Sequence, residues 1–138
     1  MAGEVKEVAM DWVGGLRFRG GEAGRPPILV DGDGEEAPGP MAGLLAMLAS
    51  CTGADVVSIL EKMRALPARF RVEVRGTRRE DHPRRYTHAH LVFLLEGGDA
   101  EEGKARRAVE LSLEKYCSVL HSLRPDIEVT HELRLSAG

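Results

Sequence analysis

The stretch PMAGLLAMLASCTGADVVSIL, Pro40 to Leu60, decides how this chain folds. Met41, Leu44, Leu45, Leu48, Cys51, Asp55, Val56, Ile59, Leu60 and Met63 recur at three- and four-residue spacing, the period of an α-helix. Pro40 suits the first helical turn, where its missing N–H would have had no partner, and the helix should end before Pro67. From Met41 to Leu60 the sole ionisable side chains are Asp55 and the Cys51 thiol; Glu61, Lys62 and Arg64 follow in the last turns. A helix this apolar around its circumference is expected to be buried on nearly all sides, in a large core or in a dimer interface. A monomer of 138 residues has little else with which to cover it.

Three short strands are expected upstream, at Val5 to Val13, Leu16 to Arg19 and Ile28 to Asp31, with Gly14-Gly15 supplying the positive φ of a hairpin turn. Gly20 to Pro27 reads as a loop, and Gly32 to Pro40 as a linker of Gly, Pro and acid. Downstream, Phe70, Val72 and Val74 interleave with Arg71, Glu73 and Arg75, and Ala89, Leu91, Phe93 and Leu95 fill one face of Tyr86 to Leu95. These read as paired antiparallel strands joined by a charged loop, Thr77 to Arg85. Asp99 and Glu102 have capping-box spacing, and Ala105, Val109, Leu113, Tyr116 and Leu120 then mark a second helix closed by Pro125. Ile127, Val129, His131, Leu133 and Leu135 alternate along a last strand. The order βββ-α-ββ-α-β is an α+β fold, and 138 residues suit a single domain over 1–138.

Nineteen basic against 22 acidic residues give a net charge of −3, with neither sign gathered in one half, so nucleic acid is not the expected partner. No apolar run is expected to approach the roughly 18 residues of a membrane span, and Met1 to Met10 lacks the basic-then-apolar pattern of a leader. A soluble cytoplasmic protein without a membrane partner is the expectation. Gly14-Gly15 and Gly20-Gly21 lack the strand-to-helix setting and lysine of a phosphate-binding loop.

Two cysteines, 66 positions apart, exclude a local CxxC motif and are too few for a disulfide scaffold. Cys51 is either a small buried hydrophobe or a reactive thiol. Ser50, Thr52 and Gly53 leave small side chains around it, and Asp55 at i+4 offers a carboxylate to orient a cation or receive a proton. Cys117 is a core position if the second helix runs on. If the helix breaks near Lys115, Cys117 stands at a fresh N-terminus whose N–H groups favour thiolate. His121, at i+4 from Cys117, would need further ligands to hold a metal, and no second ligand pair is visible, so neither metal nor cofactor is expected. Tyr86, His88 and His90 share one parity on their strand, most simply as a solvated face.

Pro40-Met41, Leu44-Leu45, Cys51-Thr52, Asp55 to Leu60 and Lys62-Met63-Arg64 together resemble the central helix of OsmC/Ohr-like proteins. Tyr86-Thr87-His88, Ala108 to Ser112 and Glu114-Lys115-Tyr116-Cys117-Ser118-Val119 extend the likeness and look most like the YhfA-like branch. The resemblance implies an intertwined homodimer with central helices in a shared core. It also implies a thiol peroxidase in which Cys51 is peroxidatic and Cys117 resolving, with a hydroperoxide as substrate and an external dithiol as reductant. Peroxidase members support the thiolate with an arginine held by a glutamate. Here Met41 and Ala42 occupy the stretch where relatives carry that glutamate, leaving Glu35, Glu36 or Asp55 to replace it. Arg17 is the first candidate for the arginine and Arg25 the second. The expected activity is hydroperoxide reduction in oxidative-stress defence; the alternative is a non-catalytic dimer holding a small hydrophobic ligand in its apolar groove.

Overall fold

Gly14 and Gly15, at φ 113° and 55°, turn the chain from β1 (Ala9–Gly14) into β2 (Arg17–Gly21), as the glycine pair predicts. The computed structural model describes residues 3–138. These form two compact units, up to Leu44 and from Leu45 onward.

In the first unit β1, β2 and β3 (Ile28–Asp31) form an antiparallel sheet in that order. β1 begins at Ala9, not Val5; Val5 and Val8 lie exposed outside the sheet. The linker is ordered by Asp31, whose carboxylate accepts the N–H groups of Asp33 and Glu36 at 2.9 and 3.0 Å. This is the local side-chain-to-backbone bonding that makes aspartate a turn former.

The predicted central helix is α1, Pro40–Lys62. Arg64, at φ 55°, ends its last turns in the left-handed region while the Ala65 N–H bonds back to the Leu60 carbonyl. Its composition and 23 residues make it long and apolar enough to cross a bilayer, which corrects the expectation that no stretch reaches that length. Ser50, Thr52, Ser58 and the single Asp55 dilute the apolar residues too little. The core helix of a soluble protein passes the same test, and α1 carries a core stripe. Leu48, Thr52, Val56 and Leu60, four residues apart, are fully buried. Burial on nearly all sides, however, is not supplied within one chain: Met47 is 49% and Val57 40% exposed.

In the second unit β4 (Arg69–Arg78) pairs antiparallel with β5 (Tyr86–Glu96), and β6 (Glu128–Ser136) joins the other edge of β5 in parallel. A parallel neighbour needs a crossover, which runs through α2 (Glu102–Leu111). α2 starts without the predicted capping box: Glu101 is its N-cap, and its side chain makes no capping hydrogen bond but pairs with Lys104 at 3.5 Å. Leu91, Phe93 and Leu95 of β5, the α1 stripe, and Ala105, Ala108 and Val109 of α2 make the core, Cys117 included. Fully burying each such Leu, Val or Phe contributes roughly 1.5 to 3 kcal/mol. The architecture is α+β, with two three-stranded sheets in the predicted element order.

A register shift next to Arg78 changes one reading of β5. Thr77 pairs with His88 but Arg78 with Tyr86, so Thr87 is extra on its strand. A bulge of one residue reverses side-chain parity, and Tyr86 is buried rather than aligned with His88 and His90. Its ring lies over Gly76, where a Cβ would stand 2.5 Å from the ring carbon Cε1.

Candidate functional site: a thiol pair

Cys51 and Asp55 sit one helical turn apart on α1 and therefore share a face. The rest of the site comes from a break in the second helix. α2 ends at Leu111, and Ser112–Tyr116 forms one π-helical turn closed by the Cys117 N–H on the Ser112 carbonyl at 2.8 Å. Cys117 then leaves helical geometry (φ −70°, ψ 98°) and caps the short α3 (Ser118–His121), its Sγ accepting the Leu120 N–H at 3.4 Å. Of the two alternatives for this helix, the break is the one that forms, two residues beyond Lys115. Leu113, Tyr116 and Leu120 accordingly do not continue one α-helical face with Ala105 and Val109, and Tyr116 is 49% exposed.

The break brings together residues far apart in sequence. Ligand atoms of Cys51, Asp55 and Cys117 all lie within 4.8 Å of one another. Both thiols are free; Cys117 is buried, while Cys51 and Asp55 are partly exposed. The Ser112 hydroxyl, fully buried, donates to Asp55 Oδ2 at 2.9 Å. Burial pushes the Cys117 thiol up to about 11. The Leu120 N–H opposes this rise, whereas hydrogen bonding and charge from Cys51, and charge from Asp55, add to it. Burial thus outweighs the helix-start N–H, and Cys117 holds its proton at neutral pH, contrary to the thiolate expected at a fresh N-terminus.

A cavity of about 520 Å³ adjoins the cluster and is lined by Asp55, Ser58, Ile59, Lys62, Met63, Leu111 and Tyr116. Cys117 does not combine with His121, whose Nε2 faces the Leu113 carbonyl at 3.1 Å. The side chains that join Cys117 are Cys51 and Asp55. Sequence reasoning missed Ser112 as a site residue; its advance signal is its place at the end of the Ala108 to Ser112 stretch, five positions before the cysteine. His88 and His90 form no joint site with Tyr86: His88 pairs with Glu128 at 2.9 Å, and His90 contacts Thr130 and Glu132 at 2.7 and 3.3 Å. That is a solvated strand face, as expected.

The arginine candidates lie in the first unit. Arg17 on β2 has Nε 3.5 Å from Glu36 Oε2, so among the described residues Glu36 is the candidate glutamate that pairs with an arginine. The Asp31 turn, which bonds the Glu36 N–H, orders the backbone that carries this glutamate. The Arg25 N–H bonds the Glu22 carbonyl in a turn, and among the described residues its guanidinium forms no ion pair.

Residues 32–132 match the family model of OsmC-like proteins. The chain is 40% identical over 133 residues to Protein YhfA of Escherichia coli, covering 96% of this chain and 99% of that one. A crystal structure of a hypothetical protein from Aquifex aeolicus superposes with a TM-score of 0.86 at 32% identity, over 96% of each chain. The organic hydroperoxide resistance protein OhrB of Bacillus subtilis superposes at 0.62 with 16% identity, over 95% of this chain and 98% of that one, a likeness of fold alone. The family match and the near full-length identity to YhfA together establish that this chain belongs to the OsmC-like family.

Proposed function

We propose that this chain is a thiol-dependent peroxidase that reduces hydroperoxides, organic or hydrogen peroxide, in oxidative-stress defence, acting as a cytoplasmic homodimer. The observation that carries this reading is the unequal pair of free thiols, Cys51 partly exposed and Cys117 buried, protonated and within 4.8 Å. The Cys51 thiolate attacks a peroxide oxygen; the O–O bond breaks, Cys51 becomes a sulfenic acid, and the departing alkoxide or hydroxide takes a proton. Cys117 then attacks the Cys51 sulfur, the S–O bond breaks, and the Cys117 proton leaves with the hydroxide as water. The resulting disulfide is returned to two thiols by an external dithiol, which is itself oxidised. A carboxylate beside the two sulfurs, held by Ser112, is placed to accept and pass on the Cys117 proton.

Arg17, carrying Glu36 as its ion-pair partner, is assigned to the thiolate on the strength of the family resemblance and of that pairing. The dimer reading is supported by apolar surface that a single chain leaves open: Trp12, Phe18 and Ile28 of the first sheet, and Met47 and Val57 of α1.

Titrating reduced protein with hydroperoxide tests the activity. The expected result is loss of two thiols per chain, one equivalent of peroxide consumed, and an intramolecular disulfide. Slow, incomplete oxidation would sink it and leave the second reading, a dimer holding a small hydrophobic ligand, for which the cavity lined by Ile59, Met63 and Leu111 is the supporting observation.

A further inference from the structure

We propose that Cys51, Asp55 and Cys117 also form a binding site for a thiophilic divalent cation of the Zn²⁺ type, occupied while both thiols are reduced. The donor set supports it first. Two thiolates and a carboxylate favour Zn²⁺ over Mg²⁺ or Ca²⁺, which prefer all-oxygen shells. Geometry is the second support. Tetrahedral Zn²⁺, with bonds of about 2.3 Å to sulfur and about 2.0–2.2 Å to oxygen, separates its ligand atoms by roughly 3.5–3.8 Å. All three donors already stand within 4.8 Å of one another, so closing on an ion takes shifts of about 1 Å, within reach of side-chain rotation.

The surroundings complete a site rather than a chance meeting of three side chains. Ser112, fully buried, holds one oxygen of Asp55, and the Leu120 N–H points at the Cys117 sulfur. Such outer bonds orient ligands and favour their anionic forms. Among the described residues Asp55 makes no ion pair, and its hydrogen-bond partner is the neutral Ser112. A dication would bind three groups that otherwise repel one another as anions, displacing the thiol protons as it enters. Cys51 and Asp55 are partly exposed, which gives an entry path, and three protein ligands leave a fourth position for water. The site needs only reduced thiols and holds whether or not the pair reduces peroxides; disulfide formation would abolish it.

Co²⁺ titrated anaerobically into the reduced full-length protein is the probe. The expected result is sulfur-to-cobalt charge-transfer absorption with tetrahedral visible bands, saturating at one Co²⁺ per chain and displaced by Zn²⁺. Cys51→Ser and Cys117→Ser should each lower the charge-transfer intensity by about half, and Asp55→Asn should weaken binding roughly 10-fold or more. Absence of the charge-transfer band, or a band unchanged in either cysteine variant, overturns the proposal. A measurement on the unmutated protein stands apart from any folding defect: one equivalent of Zn²⁺, but not Mg²⁺, should slow alkylation of both thiols at least tenfold. Unchanged alkylation with Zn²⁺ overturns the site even if hydroperoxide titration succeeds.

Discussion

The Ser112 hydroxyl donates to Asp55 Oδ2 at 2.9 Å and so ties the π-helical turn after α2 to the face of α1 that carries Cys51. Ser112 is fully buried, and its removal leaves a partly buried carboxylate without its donor. Ser112→Ala should therefore cost about 1–2 kcal/mol of stability, read from urea unfolding of the reduced protein. An unchanged midpoint and slope would show that the bond does not join the two elements.

The thiols should divide their labour. Cys51→Ser should abolish hydroperoxide consumption, whereas Cys117→Ser should still react once per chain and accumulate a Cys51 sulfenic acid that a dimedone-type probe traps. Equal trapping at Cys117 in the Cys51→Ser protein would reverse the assignment.

Arg17 and Arg25 are separable by reactivity. Arg17→Met should slow alkylation of Cys51 at neutral pH several-fold, because a thiolate deprived of its cation is less populated. Arg25→Met should leave the rate unchanged. Equal rates in both variants would remove Arg17 from the proposed role.

Stability should fall at alkaline pH. The Cys117 thiol is raised in the folded chain from an ordinary value of 9.0 to about 11, chiefly by burial. The unfolded chain therefore releases that proton first. The associated stability is fully present below pH 9.0 and is lost as pH rises to about 11. The loss should be on the order of 1–3 kcal/mol under reducing conditions, and Cys117→Ala should flatten this part of the curve. An equal decline in the variant would place the titration elsewhere.

Homodimer formation is checked by sedimentation equilibrium, which should give twice the 15.0 kDa chain mass. The thermal midpoint should also rise with protein concentration. Leaving Trp12, Phe18, Met47 and Val57 in water forfeits burial worth roughly 1.5–3 kcal/mol for each large apolar side chain. A folded species of single-chain mass whose midpoint ignores concentration would defeat the dimer.

What the sequence determined by itself was local: element order, the Gly14-Gly15 turn, the long apolar helix and the alternating β4 and β5. Each depends on a short-range period or on one residue's allowed φ, and both are written in consecutive residues. The Glu-Lys-Tyr-Cys-Ser-Val motif likewise sufficed to suggest the family. Tertiary structure decided the rest. Whether α2 continued through Cys117 was open, because Leu113, Tyr116 and Leu120 keep a helical spacing; a single π turn moved the thiol to a cap position. The extra Thr87 buried Tyr86 against the parity of its strand. The meeting of Cys51, Asp55 and Cys117, and the Ser112 bond beneath them, depends on how α1 and the broken helix pack over the sheet, and a contact 57 or 66 positions long leaves no periodic trace along the chain.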